Sequence, residues 1–194
     1  MRIVGGMWKG RSIDAPWGRD TRPTTDRTRE SIASSVLSLF DLSLEGLSVL
    51  DAFAGSGAFG IEMLSRGAAC CTFVDAGRQA IRTVKGNLAS LGAAPASYRI
   101  ITGDIFAAVA GLSSQGAPFD LVFLDPPYAM PAAEVARLLE SLSAGGCVTM
   151  DGIAVYERAS AAPMIVTPCA TLIRSKRLGE TAVDYYRIGE DHGA

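Results

Sequence analysis

Four short apolar runs in this chain each close on an aspartate, and stretches of helical periodicity lie between them. They are Leu47-Ser48-Val49-Leu50-Asp51, Cys71-Thr72-Phe73-Val74-Asp75, Tyr98-Arg99-Ile100-Ile101-Thr102 followed by Gly103-Asp104, and Phe119–Leu124 followed by Asp125. A strand that is apolar on both faces must be covered on both, and strands alternating with helices achieve this in a parallel sheet. Helices are expected after Gly55-Ser56-Gly57 through Leu64, over Arg78–Leu91 and over residues 131–142. Ile153-Ala154-Val155-Tyr156-Glu157 reads as a fifth strand. The tail changes character: residues 171–178 and Thr181–Ile188 are extended segments joined at Gly179-Glu180, which predicts an antiparallel hairpin closing the sheet edge. The expected fold is α/β, a doubly wound, mostly parallel sheet of seven strands.

Ahead of this sheet, Arg2-Ile3-Val4 and Arg11-Ser12-Ile13 flank the turn-prone Gly5-Gly6 and Gly10, a pattern that predicts an N-terminal β-hairpin extension. Pro16, Gly18 and Pro23 punctuate an irregular link. Thr25-Asp26 then opens a helix on which Ile32, Ala33, Val36, Leu37 and Phe40 recur at helical spacing. The N-terminal part is also the basic part of an acidic chain. Net charge is −2, yet residues 1–30 hold seven Lys or Arg against four Asp or Glu, a net of +3 that leaves −5 for the rest. A basic arm on an acidic body suits a phosphate-bearing partner, although solvated arginines without a partner give the same asymmetry. The chain therefore divides into an arm and linker, residues 1–30, and a sheet domain, residues 31–194.

Other classes of chemistry fit poorly. No apolar run approaches the ~20 residues that span a bilayer, and the N-terminus has no long apolar stretch, so a cytoplasmic protein without a membrane anchor is expected. Cys70, Cys71, Cys147 and Cys169 form no C-x-x-C pair, and His192 is the only histidine. That set does not supply a zinc site, or a nucleophile backed by an imidazole, so no metal is expected. The cysteines read as small buried apolar residues.

The strand ends carry the chemistry. Gly55-Ser56-Gly57-Ala58-Phe59-Gly60 fits G-x-G-x-x-G, a turn whose backbone lets a ligand approach closely. Dinucleotide enzymes use the same device, so the neighbours decide. Asp51 precedes the loop in the motif Asp51-x-Phe53-Ala54-Gly55-Ser56-Gly57. A carboxylate there accepts from a cationic α-amino group and sits badly beside a pyrophosphate, which favours S-adenosylmethionine over NAD. A cap on the following helix is the other role open to Asp51. Asp75 ends the second strand, at about the spacing of an acid that binds ribose hydroxyls. Asp104 ends the third, where it can accept from an adenine amino group while Ile105 packs on the ring. Either acid could instead be an ordinary turn residue.

Asp125-Pro126-Pro127-Tyr128 is the most specific signal. An exocyclic amine of a base is a poor nucleophile because its lone pair is delocalised into the ring. Accepting its two N–H bonds, with the Asp125 carboxylate and the Pro126 carbonyl, directs that lone pair at a methyl group. Pro126 and Pro127 restrict φ and hold the carbonyl in place, and Tyr128 offers a face for the base.

These motifs resemble the seven-stranded, Rossmann-like class I methyltransferases that act on exocyclic amines. Arg2-Ile3-Val4-Gly5-Gly6, Lys9-Gly10-Arg11 and the segment Thr21-Arg22-Pro23-Thr24-Thr25-Asp26-Arg27-Thr28-Arg29-Glu30-Ser31 narrow the likeness. It becomes one to the bacterial small-subunit (16S) ribosomal RNA guanine-N2 methyltransferases. The resemblance implies S-adenosylmethionine as methyl donor, S-adenosylhomocysteine as product, and 16S RNA or a small-subunit particle as partner, with a monomer as the simplest assembly. It implies that Gly55, Ser56 and Gly57 hold the methionine part of the donor. Asp75, where glutamate is more usual, would hold the ribose, and Asp104 stands at the family's third-strand acid. Arg2, Lys9, Arg11, Arg22, Thr24 and Arg27 would help engage RNA. Methylation of another RNA, of DNA adenine or cytosine, and a nucleotide-binding oxidoreductase or regulatory module on the same fold remain alternatives.

Overall fold

Helix α1, Asp26–Leu39, begins where the sequence marks it, because the Thr25 side-chain oxygen accepts the Thr28 amide at 3.2 Å and Asp26 lies in the positive first turn. Its buried face is Ile32, Ala33 and Val36. The computed structural model describes residues 1–15, 25–113, 116 and 118–189. The chain falls into two contact-dense units, Met1–Asp104 and Ile105–Ala194.

The first unit holds three parallel strands, β1 Ser48–Asp51, β2 Cys70–Asp75 and β3 Tyr98–Thr102, in the order β3-β2-β1. Asp51 pairs with Phe73 and Asp75 with Thr102, so the strand-end acids share one carboxyl edge of this sheet. Helices α2, Ala58–Ser65, and α3, Arg78–Leu91, follow β1 and β2. The α2 start depends on two glycines. Gly57 has φ +77°, a left-handed conformation that disfavours a side chain. At Gly60 a Cβ would run into the Phe73 ring and lie 2.5 Å from the Cys71 sulfur. Gly60→Ala is therefore expected to destabilise the protein by about 1–3 kcal/mol through overpacking. Chemical denaturation checks this, and an unchanged midpoint would mean that α2 can withdraw from β2 without cost.

Residues 1–15 belong to this unit, with Ile3 and Ile13 buried in it. The expected N-terminal hairpin is present: around the antiparallel bridge of Arg2 to Ser12, the Ile3 amide donates to the Arg11 carbonyl at 2.9 Å, the Gly10 amide to the Ile3 carbonyl at 2.8 Å and the Ile13 amide to the Met1 carbonyl at 2.9 Å. Its middle winds into a 3-10 turn over Gly6–Trp8, and this part of the arm also bonds to α2. The Val4 amide donates to Glu62 at 2.9 Å, the Trp8 amide to Ser65 Oγ at 3.0 Å, and Ser65 Oγ to the Gly5 carbonyl at 2.6 Å.

The second unit holds β4 Phe119–Leu124 and β5 Val148–Ala159 in parallel, with β7 Thr181–Ile188 antiparallel to β5 and β6 Ala170–Leu178 antiparallel to β7. The strand order is β4-β5-β7-β6, so the tail hairpin adds to the sheet through its second arm. Helix α5, Ala132–Ala144, buries Val135, Leu138, Leu139 and Leu142. Two elements depart from the expectation. Ile105–Ser113 forms a helix, α4, that the sequence pattern leaves unassigned. Strand β5 begins five residues before Ile153, across a register shift and a positive-φ Asp151 at 64° that interrupt its apolar pattern. Among the described residues no helix is long and apolar enough to cross a membrane.

Candidate active site

The carboxyl edge of the first unit is organised by Asp75. Its Oδ2 accepts the Gly55 amide at 2.8 Å and its Oδ1 the Gly77 amide at 2.7 Å, so this acid pins the glycine loop to the end of β2. A short side chain suits this role, because the carboxylate reaches the loop from its own strand end. Asn87, buried on α3, donates to the Ser56 carbonyl at 2.9 Å and the Asp14 carbonyl at 3.0 Å. Its Oδ1 takes the Asp14 amide at 2.8 Å. Sequence reasoning missed both clamps, because Gly55 lies 20 residues from Asp75, and Ser56 and Asp14 lie 31 and 73 residues from Asn87. Within the loop Ala54, Ser56 and Gly57 are buried while Phe53 and Gly55 are half-buried.

Asp51 is 1% exposed and accepts the Gly60 amide at 3.0 Å. Gly60 lies in the first turn of α2, so the capping role is realised. One hydrogen bond does not compensate a buried carboxylate. Burial pushes its pKa up to about 7, the Gly60 hydrogen bond opposes the rise, and the nearby Asp75 charge adds to it. A cation delivered to this edge would find a carboxylate ready to ionise. Burial, and then the Asp51 charge, also raise the neighbouring Cys71 thiol well above its ordinary value. Cys71 and Cys147 are buried and Cys70 and Cys169 half-buried, all as free thiols. Asp104 is exposed at the end of β3. Ile105, next to it, opens α4 and is 2% exposed, so its side chain presents little surface to a ring.

In the second unit, Asp125 leaves β4 exposed, Pro126 is buried, and Pro127 and Tyr128 are exposed, Tyr128 at 68%. The Met130 amide donates to the Pro127 carbonyl at 2.8 Å, closing a tight turn that contains Tyr128. No hydrogen bond to the Pro126 carbonyl is formed among the described residues. A cleft beside this corner is lined by Pro126, Pro127, Tyr128, Tyr156, Glu157 and Arg158, among others. Arg158 is committed elsewhere: its Nε donates to the fully buried Asp184 at 2.6 Å and its Nη1 to the Ala162 carbonyl at 2.5 Å. Tyr156 is 2% exposed, and burial raises its phenol above the ordinary range.

The basic arm is only partly available to a partner. Arg11 donates to the Ser90 carbonyl and, at 3.0 Å, to the Leu91 carbonyl, closing the negative end of α3. Arg2 pairs with Asp26 at 2.8 Å while remaining 68% exposed. Lys9 and Arg27 are exposed. Arg22 and Thr24 lie outside the described residues, as do Thr21, Pro23 and His192. Among the described residues no group of three or more His, Cys, Asp or Glu is placed to hold a metal ion.

Known proteins carry the same architecture. YlbH of Bacillus subtilis, provisionally named an rRNA methyltransferase, is 36% identical over 189 residues, 96% of this chain and 98% of that one. Ribosomal RNA small subunit methyltransferase D of Escherichia coli is 38% identical over 128 residues, 66% of this chain and 60% of that protein. The solved structure of YhhF from Escherichia coli superposes with a TM-score of 0.78 at 30% identity, covering 98% of this chain and 99% of that one. The seven-stranded α/β methyltransferase fold expected from the sequence is thus borne out, as is the resemblance to small-subunit rRNA methyltransferases. With residues 1–187 matching its model, the chain belongs to the family described as conserved hypothetical protein 95.

Proposed function

We propose that this chain transfers a methyl group from S-adenosylmethionine to the N2 amine of a guanine in small-subunit ribosomal RNA. The corner Asp125-Pro126-Pro127-Tyr128 carries the reading: an exposed carboxylate, a rigid carbonyl and an exposed aromatic face stand together beside a cleft. Asp125 and the Pro126 carbonyl accept the two amine hydrogens, and Tyr128 stacks on the base. The bound donor supplies a methyl group on a positively charged sulfur, so alignment can account for much of the rate. As the nitrogen–methyl bond forms, the sulfur keeps the electron pair of its broken bond. The nitrogen becomes cationic and releases one proton, to Asp125 or to water.

The first unit fits the donor. Asp51, buried and poised near neutrality, suits a cationic ammonium, and the loop clamped by Asp75 and Asn87 presents Gly55, Ser56 and Gly57 for close approach. Asp75 and exposed Asp104, at successive strand ends, are the acids proposed to accept from the ribose and the adenine. Relatives named as rRNA methyltransferases support an RNA substrate, which we take to be 16S RNA or a small-subunit particle met by a monomer. Incubation with labelled donor and with 16S RNA, small subunits or DNA tests this. Mass mapping should find one methylated guanine at N2; label confined to DNA, or no label, contradicts the reading.

Exposed Lys9 and Arg27 are the arm cations proposed to meet phosphate. Replacing both by glutamate should weaken RNA binding by roughly 10-fold and lower the salt slope by ~2. Filter binding across a salt series checks this; unchanged affinity and slope would remove the arm from the interface.

A further inference from the structure

The cleft beside the amine corner contains one carboxylate that the reaction above does not use. Glu157, on β5, lines it together with Pro126, Pro127 and Tyr128 and is 8% exposed. Its charged neighbour Arg158 is turned to Asp184 and to backbone carbonyls, so the acid rather than the guanidinium sets the hydrogen-bonding character of this wall. An ionised carboxylate only accepts, and it disfavours a lone pair placed against it.

Bases differ at the ring nitrogen beside their exocyclic amine. In guanine, N1 carries a hydrogen next to the N2 amine. In adenine the N1 beside the N6 amine is an acceptor, and so is the N3 beside the N4 amine of cytosine. We infer that Glu157 is the residue that reads the base, accepting the N1–H of guanine while Asp125 and the Pro126 carbonyl hold the amine. This inference rests on the amine-transfer reading and extends it from the reacting group to the choice of base. Adenine or cytosine in the same cleft would set a ring lone pair against the acid, with little water to relieve it. Rejection by opposed acceptor atoms is stronger than rejection by shape.

The test uses the full chain and an RNA fragment centred on the mapped guanine, made with guanine or with 2-aminopurine at that position. The analogue keeps the 2-amine but its N1 carries no hydrogen. The unmodified protein should prefer guanine by roughly 10- to 100-fold in kcat/KM. Glu157→Gln, whose amide can donate to the bare N1, should shrink that preference at least tenfold. Because each preference is a ratio within one protein, a general loss of stability does not move it. A wild-type ratio near one, or an unchanged ratio in Glu157→Gln, overturns the role of Glu157 while leaving amine transfer standing. No transfer to the guanine fragment or to small subunits sinks both.

Discussion

Asp125→Ala is expected to lower the rate of methyl transfer by roughly 10²–10³-fold, the usual cost of removing one preorganised hydrogen-bonding partner of the reacting group. Affinity for S-adenosylhomocysteine, measured by calorimetry, should stay within about twofold, because the proposed partner of Asp125 is the amine and not the donor. Asp125→Asn separates two roles. An amide oxygen still accepts an N–H bond but is a negligible base. Activity close to wild type in Asp125→Asn would assign the released proton to water and leave Asp125 as an orienting acceptor. Equal loss of transfer and of donor affinity in Asp125→Ala would move this residue out of the amine-binding role altogether.

Asp51→Asn should have two large effects of opposite kind. Donor affinity should fall about 10- to 100-fold, since a buried carboxylate facing an ammonium is replaced by a neutral amide. The ligand-free protein, by contrast, should become more stable at pH 8. In the unfolded chain Asp51 ionises near its ordinary value of 3.8, whereas in the folded protein it holds its proton to about 7. Between those values the native state binds the extra proton, so wild-type stability falls as pH rises. The substitution removes that fall, on the order of 2–4 kcal/mol, while the amide oxygen it introduces can still cap the Gly60 N–H. Denaturation at pH 5 and pH 8 reads the stability term. Donor binding to wild type should also tighten as pH rises towards 7. Unchanged donor affinity in Asp51→Asn would leave Asp51 as a helix cap only.

The sequence shows best what depends on local pattern. Helix Arg78–Leu91 and strands Tyr98–Thr102 and Phe119–Leu124 run as expected, since each combines a clear apolar period with glycine or aspartate at its end. Helix Ile105–Ser113 is hidden because Ile105, Phe106, Ala107, Ala108, Val109, Ala110, Gly111 and Leu112 are apolar or small all round and give no period. The site is legible to the same degree. Strand-end acids and the Asp125–Tyr128 motif can be read from residue types and spacing. What each acid touches cannot: Asp75 clamping Gly55, Asn87 joining Ser56 to Asp14, and Arg11 closing α3 eighty residues away are tertiary facts. Arg11 shows the consequence, because a cation counted towards a partner is committed inside the fold.

One measurement bears most directly on the chemistry: a crystal structure of this protein with S-adenosylhomocysteine and a guanine-containing RNA fragment. The expected result has the N2 nitrogen within ~3 Å of both the Asp125 carboxylate and the Pro126 carbonyl, its lone pair facing the sulfur and the ring against Tyr128. A guanine amine bound away from Asp125 and Pro126, with the sulfur still in line with it, would contradict the account.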